Sequence, residues 1–270
     1  MKFRAFVPAI VPLLTLLLLQ ACDTGNATGT SSAYALSDGS TVETAGTAYS
    51  SSTSDVPAVY VTNGVLTLNT PTVTKSGDES TSGASSKTGV NAAVRASSSS
   101  ARITVNGGTI QSGAKGGNGA FAYNGSTVSL SGVTVTCTGS SECRGIDATS
   151  GGIIAAVNLT ASTTGSNSSV VATDQGGGTI TLTGGSFSAT GTDSAGIYST
   201  GTISGSGLSA SSSAGEACVI EGSNSITLTD SCTLTSGAAN RGILILQSGS
   251  GDATGYNGKF TMTGGSITTT

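Results

Sequence analysis

Short stretches in which an apolar residue alternates with Ser or Thr recur along most of the chain. Val65-Leu66-Thr67-Leu68, Ile103-Thr104-Val105, Val128-Ser129-Leu130, Ile154-Ala155-Ala156, Ile180-Thr181-Leu182, Ile203-Ser204-Gly205, Ile226-Thr227-Leu228 and Phe260-Thr261-Met262 form one aligned series. From Ile103 to Ile226 its steps are 25, 26, 26, 23 and 23 residues; only the first step, 38, and the last, 34, are longer and leave room for loops. A second signal lies upstream, as in Arg144-Gly145-Ile146-Asp147 and Ala195-Gly196-Ile197-Tyr198, and a third downstream, as in Gly185-Ser186-Phe187-Ser188. Period-2 alternation marks strands with one buried face, and the Gly, Ser and Asn clusters between them supply turns. A unit this small cannot bury its apolar face alone, so successive units must stack about 4.8 Å apart and share a core. Three strands per repeat of about two dozen residues predict an all-β chain, a right-handed parallel β-helix of about eight coils over residues 56–270. No stretch reads as an amphipathic helix. Residues 72–270 contain no proline, as expected where nearly every N–H enters a ladder. A β-sandwich would not keep this period.

The N-terminus carries a different pattern. Lys2 and Arg4 precede the apolar run Ala5 to Leu19, which holds Pro8 and Pro12 and is short for a membrane-spanning helix of about 20 residues. It reads as a signal peptide over residues 1–21. Its end, Leu19-Gln20-Ala21-Cys22, resembles the bacterial lipobox, which implies cleavage before Cys22 and lipidation of that cysteine. Several acyl chains, at about 0.8 kcal/mol per buried methylene, anchor a protein firmly. Asp23 would favour inner-membrane retention in enterobacteria-like cells, and the choice of membrane stays open. Residues 22–55 are rich in Ser, Thr and Gly and read as a flexible tether.

Composition narrows the function. The chain has 9% charged residues, a net charge of −4 and a pI near 4.6, so it offers no basic surface for nucleic acid. With 36% hydrophobic residues and 41 glycines, it has enough apolar content to fold. No His is present, which removes every Ser-His-Asp or Cys-His triad and every His metal site. Acid–base chemistry would rest on carboxylates, Lys, Arg or Tyr.

The repeat Gly177-Gly178-Thr179-Ile180-Thr181-Leu182-Thr183-Gly184-Gly185-Ser186-Phe187, in variant forms from about residue 56 to 270, resembles bacterial adhesin-like surface lipoproteins with a pectate-lyase-like right-handed β-helix. The resemblance specifies architecture well and function poorly. It implies a membrane-anchored, extracytoplasmic rod of the bacterial envelope with a structural or adhesive role, binding carbohydrate or extracellular matrix. The lyases and hydrolases of that fold use clustered acids, Ca²⁺ and Arg. Aligned by repeat, Asp147 and Asp174 fall near one edge of consecutive coils, Glu221 two coils further, and Arg144 and Arg241 at equivalent strand starts. These acids are singly placed and read first as solvated turn residues, with Asp147, Asp174, Arg144 and Glu221 the catalytic set if the chain is an enzyme. Asp147 and Asp174 could share Ca²⁺; no other cofactor or metal spacing is present.

Four cysteines remain beside Cys22. An even number in an exported protein favours pairing, here Cys137 with Cys143 across a short turn and Cys218 with Cys232 within one coil; buried free thiols are the other reading. The loop from Ser248 to Gly258 interrupts the last repeat, and its Asp252, Tyr256 and Asn257 are a candidate sugar-binding set. Thr74 to Glu79 reads as a solvated excursion. Thr179-Ile180-Thr181 and Thr227-Leu228-Thr229 raise ice binding as a minor reading, in an array broken by Ser, Ala and Gly elsewhere. The last strand ends at Thr270 without a cap, where a solenoid is expected to carry one, which points to either a truncated reading frame or a missing C-terminal part.

Overall fold

The computed structural model describes residues 34–238, 241–247 and 251–270. The signal peptide and Cys22 lie outside the described residues. The chain winds as a right-handed parallel β-helix of three sheets, each of nine strands in sequential order. One strand per coil enters each sheet. In the fifth coil, for example, Ile146–Thr149 lies in the first sheet, Ile153–Val157 in the second and Thr160–Thr163 in the third.

Eight coils occupy residues 59–269, as the repeat predicts. A ninth precedes them: Tyr34–Leu36, Thr41–Ala45 and Ala48–Ser51 form a complete coil within the segment expected to be tether. That boundary moves from residue 56 to Tyr34. The reason is compositional, since these strands carry the same Ser, Thr and Gly as the tether and only one or two large apolar residues each. Val42 pairs in register with Leu66, so the repeat is in fact continued. Tyr34 and Tyr49 meet edge to face, 5.7 Å between ring centres, and pack on the core at this end.

Identical positions stack on one another. Leu66, Ile103, Val128, Ile154, Ile180, Ile203 and Ile226 form one inward column of the second sheet, all buried. Volume is balanced between coils: Phe187 of the third sheet lies between Ala161 and Ala210, and at Gly205 the missing side chain leaves space that Leu208 and Leu228 fill. Such compensation keeps the interior close-packed while coil sequences vary. The corner between second and third sheets turns in two or three residues, at least one of them left-handed, as at Thr70, Gly132 and Asn158.

Outward positions of the third sheet are hydroxylic, with Thr72, Thr109, Thr134, Thr160, Ser186, Ser209 and Thr233 in one register. The second sheet is less uniform. Thr179 and Thr181 follow Ile153 and Ala155, and Ile153 and Val157 are more than 40% exposed.

Two excursions leave this frame. Residues 76–93 join coils 2 and 3 and contain one short helix, Ala84–Thr88, which the periodicity does not announce. The segment Thr74 to Glu79 is no solvated excursion at its core-facing positions. Lys75 is fully buried and its Nζ donates to the carbonyls of Thr53 (2.9 Å) and Gly77 (2.6 Å). Burial pushes this ammonium down to about 8, against the pull of Asp55 and Asp78. Glu79 is buried as well and accepts from the N–H groups of Gly83 and Ser85. The second excursion, residues 247–258, lies in the last coil between the first and second sheets.

Candidate functional site

The outer face of the first sheet is where side-chain chemistry collects. Its central outward column runs Tyr60, Arg95, Phe121, Asp147, Ala172, Tyr198, Val219 and Leu244. In coils 3 to 5 the excursion at 76–93 covers this column. Arg95 lies 4.8 Å from the Tyr60 ring centre and 5.6 Å from that of Tyr123, and its Nε donates to the Thr88 carbonyl at 2.8 Å. Thr149 donates to the Lys87 carbonyl at 2.7 Å, and Gly89 abuts Phe121. Aromatic faces hold a desolvated guanidinium well, so these contacts seal the covered half.

Beyond the helix the column lies open as a groove of about 290 Å³. Its lining includes the apolar Val219, Leu244 and Leu246, beside Tyr198. Ser169, Asn167, Asp193, Glu216, Glu221 and Arg144 add polar groups.

At the covered end of the groove, Arg144 Nη1 lies 2.8 Å from Asp147 Oδ2 and 2.7 Å from Asp174 Oδ2. Asp147 is fully buried and the Asp174 side chain is 7% exposed. One cation cannot compensate two carboxylates in a low-dielectric site, and burial penalises the charged form. Burial therefore pushes Asp147 up to about 7; Arg144 opposes that rise and Asp174 adds to it. The two carboxylates in turn hold Arg144 protonated despite its burial. Tyr198 donates its hydroxyl to Glu221 Oε1 at 2.9 Å. Burial, together with the Glu221 and Asp174 carboxylates, raises Tyr198 far above the usual phenol range, so it remains a donor. Asp147 Oδ1 and Glu221 Oε2 are buried without a hydrogen-bond partner.

Arg144, Asp147, Asp174 and Glu221 thus converge on one face. The first reading of them as solvated turn acids is corrected: Asp147 is an outward strand residue sealed from solvent, and Asp174 is nearly so. Arg144 stands between the two carboxylates, where a shared Ca²⁺ would have to lie. Among the described residues no group of three or more His, Cys, Asp or Glu could hold a metal ion. Arg241, aligned with Arg144, instead makes an exposed pair with Glu216 at 2.8 Å. Tyr198, Asp193 and Glu216 belong to the groove and were not singled out from the sequence. The alignment that places Asp147 also places Tyr198 at the equivalent position, three coordinates after the coil's leading residue.

The loop set lies elsewhere. Tyr256 is 79% exposed, the Asn257 N–H donates to Ser223 Oγ, and Asp252 accepts from Gln175 Nε2 at 2.6 Å, so the loop folds back from the last coil to the sixth. None of the three lines the groove.

The expected disulfides are absent: Cys137, Cys143, Cys218 and Cys232 are all buried free thiols. Cys137 and Cys143 do meet, through a side-chain hydrogen bond that raises the first thiol and lowers the second. Register explains the Cys137 position. It occupies an inward column with Ser51, Lys75, Ser112, Thr163, Ala189, Ser212 and Ser236. Side chains in this column donate to corner carbonyls, Ser51 to Val56, Thr163 to Ser168 and Ser236 to Arg241 in the corner that follows, and Ser212 to Ser194 in the corner one coil earlier. The Cys137 thiol does the same to Arg144 at 3.1 Å. Cys218 replaces an aliphatic residue between Ile197 and Ile243.

No family model matches the chain, and no curated protein or solved structure matches it either.

Proposed function

We propose that the chain is a bacterial envelope lipoprotein, anchored through Cys22, whose β-helix displays a carbohydrate-binding groove on its first sheet. The observation that carries this reading is the pairing of an apolar floor with a polar rim in coils 6 to 9. A pyranose has one apolar face and a perimeter of hydroxyls. The floor of Val219, Leu244 and Tyr198 suits the face, and Ser169, Asn167 and Glu221 suit the perimeter. The hydroxylic third sheet supplies solubility that a chain with so few charges needs. Retention of the full chain on immobilised neutral, acidic and amino polysaccharides tests the reading. Binding that weakens at least tenfold in Val219→Asp supports it, and unchanged binding in that variant would move the site elsewhere.

A second reading, a polysaccharide lyase or hydrolase, draws on the convergence of Arg144, Asp147, Asp174 and Glu221. A carboxyl raised to about 7 with a second carboxyl beside it is the kind of arrangement that acid–base pairs use. Against it, Asp147 is fully buried and Arg144 already engages both aspartates, whereas a general acid must reach its substrate. New reducing ends or unsaturated products in the same assay, lost in Asp174→Asn, would establish the enzyme reading.

A further inference from the structure

The groove's charges do not balance among its own residues. Five carboxyl groups line or adjoin it, Asp147, Asp174, Asp193, Glu216 and Glu221, of which Asp147 holds its proton below about pH 7. Two arginines answer them, Arg144 for Asp147 and Asp174, and the exposed Arg241 for Glu216. Among the described residues no cation pairs with Glu221 or Asp193. Two buried oxygens on this face also lack a donor, Asp147 Oδ1 in a fully buried side chain and Glu221 Oε2 at the groove itself. Buried carboxylate oxygens are ordinarily hydrogen-bonded, and leaving one without a donor is costly. A donor that arrives with the ligand resolves both the charge excess and the orphaned oxygen. The acids are too dispersed for a bare metal ion, since no group of three among the described residues could coordinate one.

We propose that the groove recognises a protonated primary amine carried on a sugar ring, that is, an amino-sugar unit of a polysaccharide, with the ammonium seated on Glu221. This rests on the carbohydrate reading above and narrows it. The ring lies over Val219 and Leu244, and the ammonium binds the Glu221 carboxylate, whose Oε1 accepts from Tyr198 and whose Oε2 has no donor of its own. Charge-assisted hydrogen bonds of this kind are roughly twice as strong as neutral ones.

Calorimetric titration of the full chain in non-ionic detergent at pH 6 tests the proposal, using a β-1,4-glucosamine hexamer, its N-acetylated counterpart, cellohexaose and spermine. The expected result is at least tenfold tighter binding of the glucosamine hexamer than of either other hexamer, with spermine weaker still. That preference should vanish in Glu221→Gln and shrink in Glu221→Asp, which keeps the charge but withdraws it by one methylene; a preference unchanged in either would overturn the assignment to Glu221. The second variant serves if the first does not fold. Equal binding of the three hexamers would overturn the amine assignment and leave the carbohydrate groove standing. Binding of spermine as tight as that of the glucosamine hexamer would overturn the sugar part. Binding of none of the four would overturn both readings together.

Discussion

Asp147 and Asp174 share one guanidinium, and the consequence is a pH dependence with a definite sign. In the unfolded chain Asp147 titrates near 3.8, and burial carries it to about 7 in the folded protein. The folded state therefore holds this proton more tightly. The stability it confers is complete below about 3.8 and is lost as pH rises through 7, at about 1.4 kcal/mol for each pH unit between. Denaturant titrations of the parent and Asp147→Asn from pH 4 to 8 read it directly. The difference in stability between the two should shift in the variant's favour with rising pH, and a difference that stays flat would refute the assignment. The thiols are tested at the same scale. With Cys22 replaced by Ser, an aromatic disulfide reagent should titrate no thiol in the native protein and four in denaturant, because Cys137, Cys143, Cys218 and Cys232 are all buried and reduced. Fewer than four after denaturation would mean that a disulfide is present. The sequence could not separate these cases. Counting cysteines weighs them as a pair-forming set, whereas register shows Cys137 doing the work of a serine and Cys218 that of an isoleucine. The acids were misread for a related reason: alignment by repeat placed Asp147 and Asp174 correctly, but their burial depends on an excursion that starts about 70 residues upstream of Asp147.

That excursion is the element on which the site depends. Residues 76–93 lie across coils 3 to 5 and end the groove, yet the helix within them is Ala-Ser-Ser-Lys-Thr, too short and too polar to show a period. Strands were legible because each repeats its alternation once per coil; an element that occurs once has no such redundancy. Its docking hinges on Gly89, which closes the helix at φ +64°. A β-carbon there would stand 2.2 Å from Phe121 Cγ, far inside contact distance. Gly89→Ala therefore adds a clash to the roughly 1–2 kcal/mol that a left-handed conformation costs an L-residue, and the strap should undock while the solenoid stays folded. Limited trypsinolysis should then cut after Lys87 at least tenfold faster than in the parent, with little change in midpoint temperature. Cleavage at the parent rate would show that the strap accommodates the methyl group.

At the scale of the whole molecule each coil touches only its neighbours, so stability is a sum of coil interfaces and a lesion should be felt locally. Ile154 sits in the middle of its column between Val128 and Ile180 and is fully buried. Ile267 occupies the same kind of core-facing position in the last coil, but with a neighbour on one side only it is 45% exposed. Removing the buried side chain forfeits its transfer energy and leaves a cavity, for an expected loss of about 2–5 kcal/mol. Removing the half-exposed one should cost under about 1 kcal/mol, since less area leaves water in the first place. Segment-resolved amide exchange distinguishes a local response from a global one. Ile154→Ala should accelerate exchange in coils 4 to 6 most, fading with each coil away from the lesion, whereas Ile267→Ala should affect coil 9 alone. Uniform acceleration in both variants would mean that the nine coils unfold as one cooperative unit. The groove in coils 6 to 9 would then draw its rigidity from the whole rod rather than from the coils that build it.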